Sequence, residues 1–79
     1  DMLNLRQKFA KRLQKLRRTG GMTQEEFDEK AGISVEFLSN LERGINAPSF
    51  ETLEKLSLAL SISVHFLFNF EDDDNNAKK

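Results

Sequence analysis

Apolar residues recur along the chain at the three- and four-residue spacing of helices, and capping residues divide the pattern into five segments. In the first segment Leu5, Phe9, Leu13 and Leu16 form one apolar stripe under a polar face. The stretch 19–21, Thr-Gly-Gly, ends it because glycine readily adopts the left-handed conformation that closes helices. No stretch shows the alternation typical of a strand, and no internal repeat is visible. The pattern predicts an all-α chain.

The second and third helices are close together in sequence. The second starts at a capping box, Thr23–Glu26, in which a hydroxyl and a carboxylate satisfy free backbone N–H groups. It covers 23–31, and a third helix, capped by Ser34, covers 34–43. About three residues built on Gly32 join them, so the helices must cross steeply, as in a helix-turn-helix. In such a pair the second helix fits the DNA major groove, which is about 12 Å wide.

Two further helices and a tail complete the pattern. Ser49 and Ser63 are the expected N-caps of the fourth and fifth helices. Their apolar positions are Phe50, Leu53, Leu56 and Leu60, and then Val64, Leu67 and Phe68. We expect one domain over 1–70, followed by an acidic, mobile tail over 71–79, in which Ala77 is the only apolar residue.

Composition narrows the chemistry. The 79 residues include no cysteine, which excludes disulfides, thiolate metal sites and cysteine catalysis. No apolar run approaches the roughly 18–20 residues of a membrane span, and no secretory signal is visible, so we expect a cytoplasmic protein. There is no glycine-rich phosphate loop or nucleophile motif, and His65 is the only histidine. We therefore expect no enzyme activity, no cofactor and no metal.

The charge is unevenly distributed. The net charge is −1, but residues 1–18 carry seven basic residues and one acidic residue, a sum of +6. A nucleic-acid binder usually shows a basic footprint, and this block is the only one in the chain. Its simplest interpretation is a solvated helix face.

Four blocks in register resemble a known family: TQEEF at 23–27, KAGIS at 30–34, LSNLERG at 38–44 and PSFETL at 48–53. Together they resemble the lambda-repressor-like helix-turn-helix domain of Xre-type (Cro/cI-like) transcriptional regulators, from about residue 9 to residue 70. The resemblance implies a compact five-helix bundle that binds double-stranded operator DNA, usually as a homodimer. It thus implies a sequence-specific transcriptional regulator, and a repressor is the first expectation.

The resemblance also implies roles for individual residues. It assigns DNA contacts to Thr23, Gln24, Ser34, Val35, Glu36, Ser39, Asn40, Arg43 and Asn46. Gln24 and Arg43 match positions that contact the phosphate backbone, and Arg17 and Glu42 match a structural salt bridge between the first and third helices. By its chemistry Asn40 can bond adenine N6 and N7 together, whereas Glu36 can only accept, so it favours cytosine N4 or adenine N6.

Several positions depart from the family pattern. Asp28 stands where a small apolar residue is usual, so its carboxylate must find a partner, for which Ser39 is one candidate, or open the helix angle. The stretch 45–47 is uncharged where the family is often basic, and Phe37 replaces a frequent tyrosine; both changes remove phosphate contacts. Ser61 replaces the glycine that usually ends the fourth helix, where a left-handed conformation costs a non-glycine residue about 1 kcal/mol.

Three apolar residues suggest a protein contact. Leu58 and Phe66 stand where the family usually has polar residues, and Phe70 follows the fifth helix. Exposed together, they predict a homodimer interface. Alternatively, Phe66 and Phe70 fold back over the small core. Two other functions stay open: a DNA-binding antitoxin or cofactor that holds a second protein through this patch, and an adaptor that no longer binds DNA.

Overall fold

The computed structural model describes residues 2–71, which form five helices and no strand. The helices are α1 (Leu5–Thr19), α2 (Gln24–Ala31), α3 (Val35–Glu42), α4 (Phe50–Leu60) and α5 (Val64–Leu67). The all-α prediction is confirmed. The predicted tail lies, apart from Glu71, outside the described residues. No helix in this part of the chain has the length and apolarity needed to span a bilayer.

The helices begin at hydrogen-bonded caps. The side chain of each predicted cap accepts from the backbone N–H three residues further on, at Thr23, Ser34, Ser49 and Ser63. A fifth cap was not predicted. The Asn4 side chain accepts from the Gln7 N–H at 2.9 Å, and the Gln7 side chain accepts from the Asn4 N–H at 3.0 Å. The five caps therefore define where each helix starts.

The core lies between α1 and the other helices. α1 packs against α3 and α5, α2 packs against α3 and α4, and α4 also contacts α5. The apolar side chains with 2% exposure or less are Phe9, Leu13, Phe27, Leu38, Leu41, Leu56 and Leu67. Full burial of one such side chain stabilises the fold by about 1.5–3 kcal/mol.

Three residues of the predicted apolar stripes do not reach this core. Leu5 is 62% exposed, Phe50 is 83% exposed and Val64 is 39% exposed. Each is the first residue of its helix, where the Cα–Cβ bond tilts back beyond the helix start rather than over a packed turn. The spacing is helical at all three positions, but the periodicity alone does not say where the neighbouring helix ends.

The ends of α1 and α4 lie where the sequence predicts them. At the end of α1 the left-handed residue is Gly21, with φ +74°, whereas Gly20 has φ −77°. At the end of α4 Ser61 is left-handed, with φ +57° and ψ +42°. The Ile62 N–H then donates to the Ser57 carbonyl at 3.0 Å, which closes the helix end. Ser61 therefore carries the strain expected of a non-glycine residue in this conformation.

Asp28 does not have the partner considered for it. Its residue is half-buried, and its Oδ1 is shielded from solvent without a hydrogen-bond partner. Ser39 does not donate to this oxygen, so that candidate bond is wrong.

Replacing the strained residue at the end of α4 should stabilise the protein. We expect Ser61→Gly to raise the free energy of unfolding by about 0.5 kcal/mol, because relief of the left-handed strain outweighs the added chain entropy of glycine. For a domain of this size that corresponds to a rise in Tm of about 2–4 °C in a thermal melt.

The matched control is Ser57→Gly. Ser57 lies inside α4, where its hydroxyl donates to the Glu54 carbonyl, and glycine there should lower the Tm. A fall in Tm for Ser61→Gly as well would contradict the assignment of strain to this position.

Candidate nucleic-acid interface

The turn between α2 and α3 is short and closed by hydrogen bonds. Gly32 is left-handed, with φ +75°, and the N–H groups of Gly32 and Ile33 donate to the Asp28 carbonyl at 2.8 and 3.2 Å. Ser34 then caps α3 at once. A Cβ atom at position 32 would meet no atom within 4 Å, so glycine is needed there for its backbone conformation and not for space.

α3 has one side in the core and the other at the surface. Leu38, Leu41 and Glu42 are buried. The side chains that the resemblance assigns to base contact are exposed or half-buried, namely Val35, Glu36, Ser39 and Asn40. They form two pairs four residues apart, Val35 with Ser39 and Glu36 with Asn40, so each pair lies on one face of the helix. The remaining predicted contacts, at Thr23, Gln24, Ser34, Arg43 and Asn46, also reach the surface.

The loop after α3 is tied to the helix through Asn40. The Asn40 carbonyl accepts from the N–H groups of Ile45 and Asn46, at 2.9 and 3.3 Å. Within residues 2–71 the Asn40 side-chain amide makes no hydrogen bond, so both its donor and its acceptor are available. Ile45, which is 50% exposed, confirms that this loop presents an apolar side chain and no cation.

A buried ion pair joins α1 to α3. Arg17 Nε lies 2.6 Å from Glu42 Oε2, and Arg17 Nη2 lies 2.9 Å from Glu42 Oε1, which makes the pair bidentate. The two side chains are 8% and 1% exposed. The hydrogen bond to Glu42 raises the pKa of Arg17 above its ordinary value, against the opposing effect of burial. The guanidinium therefore stays charged at every working pH.

The ion pair has two further partners. Arg17 Nη1 donates to the Met22 carbonyl at 2.8 Å, which fixes the connection between α1 and α2. The Gln24 amide nitrogen donates to Glu42 Oε1 at 3.1 Å. We call Arg17, Glu42 and Gln24 the polar network. Through this network, Glu42 on α3 holds the side chain of Gln24, the first residue of α2.

Sequence reasoning missed the bond between Gln24 and Glu42. It gave Gln24 only a phosphate contact and Glu42 only a salt bridge. The bond leaves the Gln24 amide with one N–H and its oxygen for an outside partner. No local pattern pairs residues 18 positions apart, so only the packing of α2 on α3 reveals it.

The three residues predicted to form a dimer interface differ in their exposure to solvent. Leu58 on α4 is 78% exposed and Phe66 on α5 is 38% exposed. The Phe66 ring lies over the buried Arg12 guanidinium, 4.5 Å from ring centroid to Cζ, and Arg12 Nη2 donates to the Phe66 carbonyl at 2.9 Å. Phe70 is half-buried and meets the Phe68 ring edge-on at 5.9 Å. Phe70 therefore folds back over the core, which was the alternative to an exposed contact, whereas Leu58 and Phe66 remain exposed.

Comparison with known proteins also identifies a helix-turn-helix domain. The helix-turn-helix family model matches residues 13–67. The chain is 39% identical over 66 residues to the HTH-type transcriptional regulator SinR of Bacillus licheniformis, which covers 82% of this chain and 60% of that protein. The chain thus spans less than two thirds of the length of this relative.

Two solved structures extend the comparison. The restriction-modification controller protein C.AhdI of Aeromonas hydrophila superposes with a TM-score of 0.77 and 34% identity, over 78% of this chain and 94% of that one. The biofilm regulator SinR, solved in complex with DNA, gives a TM-score of 0.73 and 37% identity, over 77% and 98%. On its sequence, its five helices and the α2–α3 turn, the chain belongs to the helix-turn-helix family of the HTH-type transcriptional regulators.

Proposed function

We propose that the chain is a sequence-specific DNA-binding transcriptional regulator that inserts α3 into the major groove of double-stranded DNA. The observation that carries the proposal is the two-sided character of α3. Its inner side is fixed by buried leucines and by Glu42, and its outer side presents Glu36 and Asn40 one helical turn apart. A helix held in this way offers a fixed set of donors and acceptors to the base edges. The chain acts by binding and not by catalysis.

The outer side of α3 suggests what kind of sequence it recognises. Asn40 can pair with both N6 and N7 of adenine, and Val35 can pack on a thymine methyl group. The Glu36 carboxylate accepts only, so it selects cytosine N4 or adenine N6 and repels nearby phosphates. Glu36 therefore contributes to specificity mainly by excluding bases that offer no amino group.

Selection from a pool of random duplexes tests this function. At about 50 mM and then about 200 mM salt, we expect enrichment of one half-site sequence, because base contacts add discrimination of about 1–3 kcal/mol per base pair. Asn40→Ala should relax the preference at a single adenine, and Glu36→Ala should broaden the preference at another position.

Two results would contradict the proposal. The absence of enrichment at either salt concentration would mean that α3 does not recognise DNA by itself, which favours the adaptor function. If Glu36→Ala bound every DNA sequence more tightly by the same factor, Glu36 would act only as a repulsive charge and not in specificity.

We further propose that the regulator is a homodimer and that it represses. Leu58 supports the dimer because its large apolar side chain is 78% exposed on α4 and, with Phe66 on the neighbouring α5, offers apolar surface to a second copy. Phe66 lies on α5, which contacts α4, and Phe70 packs against the Phe68 ring just after α5. A dimer would place two α3 helices about one DNA turn, roughly 34 Å, apart on an inverted repeat. Such a complex blocks whatever else must bind the same stretch of DNA.

Sedimentation tests the dimer through Leu58→Glu. The charge would be buried in the interface, so the variant should sediment as a monomer while its circular dichroism stays helical. The control, Ile45→Glu, adds the same charge at a half-exposed apolar residue outside α4 and should leave the dimer intact. A wild-type chain that is itself monomeric would contradict the homodimer and favour a second, different protein as the occupant of this surface.

A further inference from the structure

A groove of about 260 Å³ runs between α1 and the end of α3. Its polar walls come from Gln7, Lys11 and Gln14 on α1 and from Glu42 and Arg43 at the end of α3. None of the three α1 residues belongs to the predicted DNA contacts. The groove is continuous with the candidate interface, because Arg43 lines both and Glu42 bonds Gln24.

The backbone holds the two walls close together. Gly44 is left-handed, with φ +75°, and a Cβ there would lie 3.8 Å from atoms of Gln7 and Ala10. The chain leaving α3 thus runs directly against the first half of α1. This approach sets Arg43 beside the Lys11 turn of α1, and both side chains are exposed.

The groove carries a net positive charge in spite of Glu42. That carboxylate is buried and receives three hydrogen bonds, two from Arg17 and one from Gln24. Its charge is compensated internally, so Lys11 and Arg43 dominate the field at the groove mouth. Gln7 adds a donor, because its amide oxygen is already engaged by the Asn4 N–H while its NH₂ group remains able to donate.

Two cations and an amide donor along one edge of a DNA-binding surface match a phosphodiester. We propose that this groove is a DNA-backbone site, in which Lys11 and Arg43 bind phosphates flanking the half-site that α3 recognises. The inference rests on the proposed function. It gives the basic first helix a task and supplies from α1 the phosphate contacts that the uncharged loop 45–47 lacks.

The salt dependence of DNA binding tests the site. Removing one contact between a cationic side chain and a phosphate makes the slope of log K against log salt shallower by about 0.9. The ratio of the wild-type affinity to the Lys11→Gln affinity should therefore rise about 3.5-fold as salt falls from about 200 to about 50 mM. The loss should be the same on a mixed-sequence duplex and on the selected half-site, since phosphates carry no sequence. Lys11→Arg should keep the wild-type slope because it keeps the charge. The double variant, Lys11→Gln with Arg43→Gln, should have a slope that is shallower by about 1.8.

The matched control is Lys30→Gln. Lys30 is also an exposed lysine, but it lies in the last turn of α2 and lines a different hollow, with Thr19, Gly20 and Leu60. Its substitution changes the net charge identically and should leave the slope unchanged. Thermal melts of all variants should match the wild type because the altered side chains are exposed.

The outcomes separate the two proposals. If the wild type binds DNA and both Lys11→Gln and Lys30→Gln keep the wild-type slope, the groove site is wrong and the proposed function stands. If Lys30→Gln loses as much slope as Lys11→Gln, the effect is one of general charge and the site is again wrong. If the wild type binds no duplex at about 50 mM salt, the proposed function itself fails.

Discussion

The buried ion pair between Arg17 and Glu42 is the interaction on which the arrangement of α1, α2 and α3 depends. A chain of this size buries only about 60% of its extended surface, so its apolar core alone leaves little margin. Arg17 bonds two oxygens of Glu42 and the carbonyl of Met22, and thereby fixes α3 and the α1–α2 connection to a single side chain. A buried charge that loses its partner costs about 3–5 kcal/mol, which is a large share of the stability of a small domain.

The same network connects stability with recognition. Glu42 ends α3, and through Gln24 it also holds the first side chain of α2. One carboxylate therefore positions both Gln24, for which we propose a contact with the DNA backbone, and α3, for which we propose contacts with the bases. Since Arg17 satisfies that carboxylate, it adds little repulsion toward phosphate. An interface built on rigid helices in this way loses little conformational entropy when it binds.

Much of this fold could be predicted from the sequence. The caps at Thr23, Ser34, Ser49 and Ser63 are local signals, and each starts the helix that it predicts. The spacing of the buried leucines also identifies the inner side of α3. The outer side follows from the resemblance, which places Glu36 and Asn40 at the surface, where the structure has them.

The Asn4 cap was missed although its signal is local, since Asn4 and Gln7 have the three-residue spacing of a capping box. The other missed features depend on contacts between residues distant in sequence. The environment of Phe70 stayed open because it depends on the Phe68 ring, which itself packs on Phe9 with 5.2 Å between ring centroids. The groove beside Lys11 arises only when the chain at Gly44 meets α1. For Phe70 and for the groove a partner far along the chain determines the environment, and periodicity carries no information about it.

Urea denaturation of a double-mutant cycle on the ion pair tests the central claim most directly. We expect Arg17→Met and Glu42→Leu each to lose about 3–5 kcal/mol of unfolding free energy, or to show no folded baseline, because each leaves one charge buried alone. The double variant should recover much of that loss, since two apolar side chains can fill the same space. Single substitutions that cost less than about 1 kcal/mol and simply add would contradict the claim that this pair fixes the three helices.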